Sequence, residues 1–190
     1  MSRIVMIRHG ETLGESSIRF WGATDVMLSP EGCEQMRAAR RLLPDECFDT
    51  IVSSPLSRAW QAARIVWPGG PLLLERDFCE IDFGEWEGLT AEEIEARNPV
   101  EFREWREAPG DFAFPGGEHR SDFRARVARG VDRLIEAGFE SALVVVHHGV
   151  IRAIVEHLSH ETLEKGVPGL SASVTLTRGF DGSWSISRYQ

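Results

Sequence analysis

The sequence predicts an α/β fold, a three-layer α/β/α sandwich around a mostly parallel central sheet. Short apolar runs that are typical of buried strands occur at 4–7, 50–53 and 142–146. A segment with apolar residues at helical spacing follows each of these runs. Strands that are apolar on both faces and alternate with helices are typical of parallel sheets covered by helices on two sides.

The first two predicted helices have recognisable boundaries. Ser29 is a predicted N-cap, and Pro30 follows it at the first helical position. The apolar residues of this helix recur at helical spacing: Cys33, Met36, Ala39 and Leu43. The next helix ends at Pro68 and is predicted to place four apolar residues on one face: Leu56, Trp60, Ala63 and Trp67.

Three helices are predicted in the second half of the chain. Thr90 and Glu93 have the spacing of a capping box, and Asn98-Pro99 ends the helix that they begin. A longer amphipathic helix is marked by four apolar positions: Phe123, Val127, Val131 and Leu134. A further helix follows the strand at 142–146 and runs through Ile151, Ile154, Val155 and Leu158.

The end of the chain predicts a β-hairpin. Polar and apolar residues alternate in 174–177 and 184–187, on either side of Asp181-Gly182. A hairpin at the edge of a sheet leaves main-chain groups that can pair with another chain, so a homodimer formed through it is a hypothesis.

A single domain is expected over residues 1–190, a length that can bury a sizeable core. Between about 69 and 117 the pattern is irregular, with glycine, proline and tryptophan. We interpret this segment as a small cap-like elaboration over the edge of the sheet.

The composition argues against several classes of protein. A formal net charge of -9 is unfavourable for binding nucleic acid or an anionic membrane. Cys33, Cys47 and Cys79 form no CxxC pair, so neither a zinc site nor a disulfide framework is indicated. The apolar run 4–7 after Arg3 is too short for a signal peptide, so we expect a cytoplasmic protein.

Arginine and histidine side chains follow three predicted strands. Arg8 and His9 follow the first strand, Arg58 lies in the loop after the second, and His147 and His148 follow the third. The carboxyl ends of parallel strands meet at one edge, where ligands bind. Arginine matches the oxygens of phosphate, and neutral imidazole can attack phosphorus. The sequence therefore predicts a phosphate site with a histidine nucleophile.

Six motifs resemble, in order, those of the histidine phosphatase superfamily, which includes the cofactor-dependent phosphoglycerate mutases. They span nearly the whole chain: RHGET at 8–12, GATDVMLSPEG at 22–32, SSPLSRAWQAA at 53–63, EIDFGEWEGLT at 80–90, FPGGE at 114–118 and VVHHGVIRA at 145–153. The resemblance implies a phosphoglycerate mutase-like fold and a reaction that requires no metal or other cofactor.

The same resemblance implies roles for individual residues. His9 would be the nucleophile that forms a phosphohistidine, and Glu80 would be the general acid and base. Arg8, Arg58 and the histidine after the third strand, His147, would hold the phosphoryl oxygens. Glu80 needs burial or a bound phosphate to carry its proton, and its apolar neighbours make burial plausible.

The choice between His147 and His148 rests on spacing. In the family pattern the histidine precedes a glycine and lies five positions before an arginine. Arg152 lies five positions after His147, whereas the local dipeptide with Gly149 favours His148. We give the spacing more weight and expect His147 in the pocket, with His148 as a further candidate for a phosphate contact.

One departure from the family concerns the loop after RHGET. The family often has an asparagine that contacts phosphate where this chain has Glu15. Because a glutamate would repel phosphate, we expect the hydroxyl of Ser16 or a reshaped loop to substitute for it.

A small-molecule phosphate ester is the expected substrate, and α-ribazole phosphate and sugar phosphates are indicated about equally. The short chain and the EIDFGEWEG segment resemble the phosphatase branch more than the mutases. Two alternatives are a phosphoglycerate mutase-type transfer and a non-catalytic phosphate-binding module. The presence of Glu80 argues against the second, since a binding module needs no acid.

Three other features are interpreted as structural. Glu87 is expected to cap a turn near Gly88, and Trp86 is expected to pack in the core. The arginines in 120–133 are spread around the polar arc of one helix, which indicates charge balance with the acidic surface.

Overall fold

The computed structural model of the protein describes residues 2–43, 48–107, 110–164 and 166–189. The strands in these residues are β1 (Arg3–Arg8), β2 (Thr50–Ser53), β3 (Leu73–Leu74), β4 (Ser141–Val146), β5 (Ser173–Arg178) and β6 (Trp184–Tyr189). The helices are α1 (Pro30–Leu42), α2 (Ser57–Val66), α3 (Ala91–Arg97), α4 (Pro99–Glu107), α5 (Arg120–Ala137) and α6 (His148–Ser159). Short 3₁₀ turns occupy Arg76–Phe78 and Gly84–Trp86.

The strands form one sheet in the order β3-β2-β4-β1-β5-β6. The first four are parallel to one another, whereas β5 and β6 run antiparallel to their neighbours as a hairpin. Arg8 pairs with Val146, and Ser53 pairs with Val145, so β1, β2 and β4 end at the same level. The loops that follow these strands therefore meet at one edge of the sheet.

Alternate strand residues pack against opposite layers of helices. Ile4 and Met6 belong to a core cluster with the apolar residues of α5 and α6. Val5 and Ile7 belong to a second cluster with residues of α1 and α2. The predicted three-layer α/β/α sandwich is confirmed.

The predicted helix caps are present. The hydroxyl of Ser29 accepts a hydrogen bond from the amide of Gly32, and Pro30 opens α1. Thr90 and Glu93 form both hydrogen bonds of a capping box at the start of α3. Such a cap stabilises a helix by about 1 kcal/mol, which fixes where the chain enters it.

The prediction that Trp60 lies on the buried face of α2 is wrong. The buried residues of this helix are Arg58, Ala59, Ala62, Ala63 and Val66, and Trp60 is 38% exposed. The helix is rotated so that Arg58 faces the carboxyl edge of the sheet. The alanines beside Arg58 are small, so α2 can lie close to the strands. The wider indole of Trp60 on this face would prevent that approach.

The segment 69–117 is less irregular than its sequence indicates. Asn98 caps α3 as predicted, but Pro99 opens the additional helix α4 at once. Trp86 is fully buried here, in accordance with its interpretation as a packing residue. Its ring lies 5.4–6.3 Å from five neighbouring aromatic rings: Phe20, Phe102, Trp105, Phe112 and Phe114.

Two expectations from composition concern cysteines and membranes. Cys33 and Cys79 are free thiols, and Cys47 lies outside the described residues. Among the helices that the structure describes, none has the length and apolar character needed to cross a bilayer.

Candidate active site

The carboxyl ends of β1 and β4 bring two histidines together. His9 follows β1, and its amide donates to the carbonyl of Val146 at the end of β4 (3.0 Å). His147 is the residue directly after β4. Its ring packs edge-on against the ring of His9, with 5.2 Å between the ring centroids. His147, rather than His148, is therefore the histidine beside the predicted nucleophile.

The ring of His9 is held in a single tautomer. The side chain is buried, and Nδ1 lies 2.7 Å from the carbonyl oxygen of Gly10, so Nδ1 carries the hydrogen and donates it. Burial, together with the positive charges of Arg58 and Arg8, holds the pKa of His9 well below its usual range. The imidazole is therefore neutral at neutral pH, with the Nε2 lone pair available for attack.

Arg58 is fully buried and is held by main-chain carbonyls. Its guanidinium donates to the oxygens of Trp21, Gly22 and Thr24 at 3.2, 2.6 and 2.9 Å. Burial lowers the pKa of Arg58, and the nearby Glu80 carboxylate opposes this shift. Since arginine stays charged in proteins, the site keeps a fixed cation beside His9.

The loop that holds Arg58 is itself held by Glu87. The carboxylate accepts hydrogen bonds from the amides of Gly22, Ala23, Thr24 and Phe83. Glu87 is structural, as expected, but it fixes this loop rather than a turn at Gly88. It thereby connects the segment of Glu80 to the loop around Arg58.

Arg8 and His148 share one hydrogen-bond acceptor. Arg8 donates through Nη1 to the carbonyl oxygen of Pro168 (3.1 Å), and Nδ1 of His148 donates to the same oxygen (3.1 Å). Arg152 orders the loop before Pro168 by donating to three of its carbonyls, those of Leu163, Glu164 and Val167. The arginine that sets the family spacing therefore supports the position of Arg8.

Several buried polar atoms at the site have no partner in the described residues. They are Arg8 Nε, Arg58 Nε and both ring nitrogens of His147. Outside the site, Nε1 of Trp86 is also buried without a partner in the described residues. Burial and nearby Arg58 hold the pKa of His147 well below its usual range. An unpaired buried donor costs about 1–3 kcal/mol, so this group suits an anion that accepts several hydrogen bonds. In the described part of the chain, no cluster of His, Cys, Asp and Glu is arranged to hold a metal ion.

The carboxylate of Glu80 lies at the start of α6. The side chain is buried, and its oxygens accept hydrogen bonds from the amides of Ile81 (3.0 Å) and Gly149 (2.8 Å). His147 makes no side-chain cap for this helix, so Glu80 satisfies one of the free amides of its first turn. The negative charge of Glu80 also stabilises the charged forms of Arg8 and Arg58, because it opposes the lowering of the pKa of both guanidiniums by burial.

The sequence profile of the histidine phosphatase superfamily (branch 1) matches residues 4–190. The chain belongs to the histidine phosphatase superfamily. Its fold agrees with this assignment, since a mycobacterial glucosyl-3-phosphoglycerate phosphatase in complex with VO3 superposes with a TM-score of 0.85. That match has 30% identity and covers 98% of each chain.

Two curated relatives illustrate the enzymes that this chain is similar to. Phosphoserine phosphatase 1 of Hydrogenobacter thermophilus is 32% identical over 79% of this chain and 72% of that protein. The 2,3-bisphosphoglycerate-dependent phosphoglycerate mutase 2 of Gloeobacter violaceus is 32% identical over 97% of this chain and 90% of that protein. The chain spans 32% of the length of two longer plant relatives that it also matches. Proteins named as phosphatases and one named as a mutase are therefore among the relatives that the chain resembles.

In this histidine phosphatase the loop after RHGET is organised around Thr12. The hydroxyl of Ser16 lies 2.7 Å from that of Thr12, which also accepts from the amides of Gly14 and Ser16. Glu15 has a φ of 59°, in the left-handed region that also favours asparagine, the common family residue. Its carboxylate is turned to Arg19 (3.3 Å) and is largely exposed. The structure thus ties Ser16 to Thr12 and shows no direct contact between Ser16 and His9.

Arg126 is a site-supporting residue that the sequence interpretation missed. It pairs with both oxygens of Glu118 (2.7 and 2.9 Å). It also donates to the carbonyls of Asp77, Cys79 and Glu80 at 2.8, 2.6 and 3.0 Å. Its assignment to surface charge balance was therefore wrong, because this guanidinium fixes the main chain on which Glu80 stands. The signal available in the sequence was Glu118 in the FPGGE motif, eight positions earlier and directly before the N-cap of α5.

The contact between Gly149 and Glu80 leads to a prediction. A methyl group at Gly149 would overlap Oε1 of Glu80, so we expect Gly149→Ala to displace the carboxylate. A displacement of about 1 Å can lower kcat by about 100-fold. Steady-state kinetics on an aryl phosphate would measure the loss. Gly69→Ala is the matched control, because a methyl group there meets open space. Equal activity of both variants would contradict the assigned position of Glu80.

Proposed function

We propose that the protein is a metal-independent phosphatase that hydrolyses small-molecule phosphomonoesters through a phosphohistidine on His9. The observation that carries the proposal is the state of the His9 ring. It is neutral, its Nδ1 is fixed on Gly10, the ring of His147 packs against it, and the charges of Arg58 and Arg8 act on it. This arrangement suits a nucleophile that attacks a phosphoryl group held by cations.

In the first step, Nε2 of His9 attacks phosphorus. The N–P bond forms as the bond from phosphorus to the ester oxygen breaks. Glu80 acts as the general acid and gives its proton to the leaving oxygen. Arg8, Arg58 and His147 hold the phosphoryl oxygens, and positioning and charge neutralisation supply most of the catalysis in such a loose transition state.

In the second step, Glu80 acts as the base. Its carboxylate accepts a proton from water while the water oxygen attacks phosphorus. The N–P bond breaks, its electron pair returns to Nε2 of His9, and inorganic phosphate is released. Glu80 is then the carboxylic acid again, as the next cycle requires.

The substrate proposed here is a small and soluble phosphate ester. The cationic groups are gathered at one edge of the sheet in a protein of net charge -9, which disfavours extended polyanions. Sugar phosphates and α-ribazole phosphate remain the candidate substrates. A relative with 30% identity is named for a glucosyl phosphoglycerate, which supports a sugar-bearing ester.

Phosphoryl transfer of the mutase type is the second candidate function. The match to a phosphoglycerate mutase over 97% of the chain favours it. In that case a second alcohol, rather than water, would accept the phosphoryl group from His9.

The experiment that tests the proposal is hydrolysis of p-nitrophenyl phosphate with EDTA present, followed by trapping with ³²P-labelled ester. We expect turnover that the chelator does not affect and a protein-bound label that is stable in alkali and labile in acid. Turnover that requires added metal, or an acid-stable label, would contradict the mechanism. Phosphate binding without turnover would indicate a binding module, and label passed to an added alcohol would indicate a mutase.

A further inference from the structure

We propose that His148 selects the leaving group, because its Nε2 accepts a hydrogen bond from a hydroxyl beside the ester oxygen. Phosphate esters of polyols and sugars are then the preferred substrate class. The inference rests on the proposed function and assigns the specificity of that same site.

The position of His148 is fixed between the phosphate-binding and acid groups. It opens α6, and the amide of the next residue, Gly149, is bonded to Glu80. On its other side it shares the carbonyl of Pro168 with Arg8. Because Glu80 delivers its proton to the leaving oxygen, a side chain beside Glu80 and Arg8 adjoins the carbon skeleton attached to that oxygen.

The hydrogen-bonding capacity of this ring is also fixed. Nδ1 can only donate to the carbonyl of Pro168, so the neutral ring presents Nε2 as an acceptor. Burial and the charges of Arg8 and Arg152 lower the pKa of His148, while the Pro168 carbonyl and Glu80 oppose this shift. Across the part of the chain that the structure describes, no hydrogen bond to Nε2 is formed, and the side chain is half-buried rather than enclosed.

An acceptor at this place discriminates among leaving groups. A hydroxyl can donate to Nε2 without bringing charge. An ammonium group could also donate, but the guanidinium of Arg8, bound to the same carbonyl as the ring, would repel it. A carboxylate has no hydrogen to donate, and the lone pair on Nε2 of His148 would repel its oxygens. The neutral hydroxyl is the group that this environment accepts.

The test compares glycerol 1-phosphate with propyl phosphate, which has the same carbon chain without hydroxyls. We expect the native protein to prefer glycerol 1-phosphate by about tenfold in kcat/KM, the effect of one hydrogen bond. The preference should disappear in His148→Leu, which has no acceptor. It should persist in part in His148→Gln, whose amide oxygen can accept. His157→Leu is the matched control on the same helix, since this imidazole is bonded to Asp132, and the preference should be unchanged.

The outcomes separate this inference from the function on which it rests. Hydrolysis of both esters with equal efficiency, or a preference retained in His148→Leu, would overturn the role of His148 and leave the phosphatase proposal standing. A preference for phosphoethanolamine over both esters would overturn the assigned substrate class. If neither these esters nor p-nitrophenyl phosphate is hydrolysed, the proposed function fails and the specificity assigned to His148 fails with it.

Discussion

Replacement of His9 by alanine is expected to lower kcat for p-nitrophenyl phosphate by about 10⁴-fold or more, since loss of a nucleophile leaves only binding and charge stabilisation. The guanidiniums of Arg8 and Arg58 are held by main-chain carbonyls and do not depend on the His9 ring for their placement. Binding of inorganic phosphate should therefore persist in the variant. Steady-state kinetics and titration calorimetry with phosphate measure the two quantities separately.

The control for this experiment is His157→Ala, which removes an imidazole of α6 that is bonded to Asp132 and lies apart from the nucleophile. Its kcat should match that of the native protein. A His9→Ala protein that retains turnover within tenfold of the native value would show that another group attacks phosphorus.

The second large effect is expected from Glu80→Gln. Loss of a general acid lowers the rate by about 10²–10⁴-fold, and alkyl esters should show the full decrease because their leaving oxygens need a proton. The amide oxygen of the glutamine can still accept from Gly149, whereas its NH₂ group cannot replace the oxygen that accepts from Ile81.

With p-nitrophenyl phosphate the same variant should behave differently. Nitrophenolate leaves without a proton, so His9 is still phosphorylated, but no base activates water for the second step. We expect a burst of about one nitrophenolate per active site, followed by slow turnover, in a stopped-flow measurement. Equal slowing of alkyl and aryl esters, with no burst, would argue that Glu80 only shapes the site.

The sequence predicts the fold class and the residues at the strand ends, because both are encoded locally. A buried strand is recognised from its own residues, and Arg8, His9 and His147 directly follow such strands. Parallel pairing then brings these residues to one edge without further information. Similarly, the caps at Ser29 and Thr90 depend on residues only three positions away.

The supporting contacts could not be predicted in the same way, because they join distant parts of the chain. Arg126 reaches carbonyls 46–49 positions earlier, and Glu87 reaches amides 63–65 positions earlier. The local pattern around either residue does not identify these distant partners. The exposed side of Trp60 was missed for a related reason, since the buried face of α2 is made of small alanines together with the charged Arg58 and not of its largest apolar residues.

The carbonyl partners of the site arginines have a consequence for how much sequence change this site tolerates. Arg8, Arg58, Arg126 and Arg152 are all held by main-chain oxygens. A main-chain oxygen is present whatever side chain its residue carries, so mutation of the surrounding loops can change the shape of the entrance while these guanidiniums keep their partners. The side chains around the entrance of this site can therefore vary without removing the groups that hold Arg8 and Arg58.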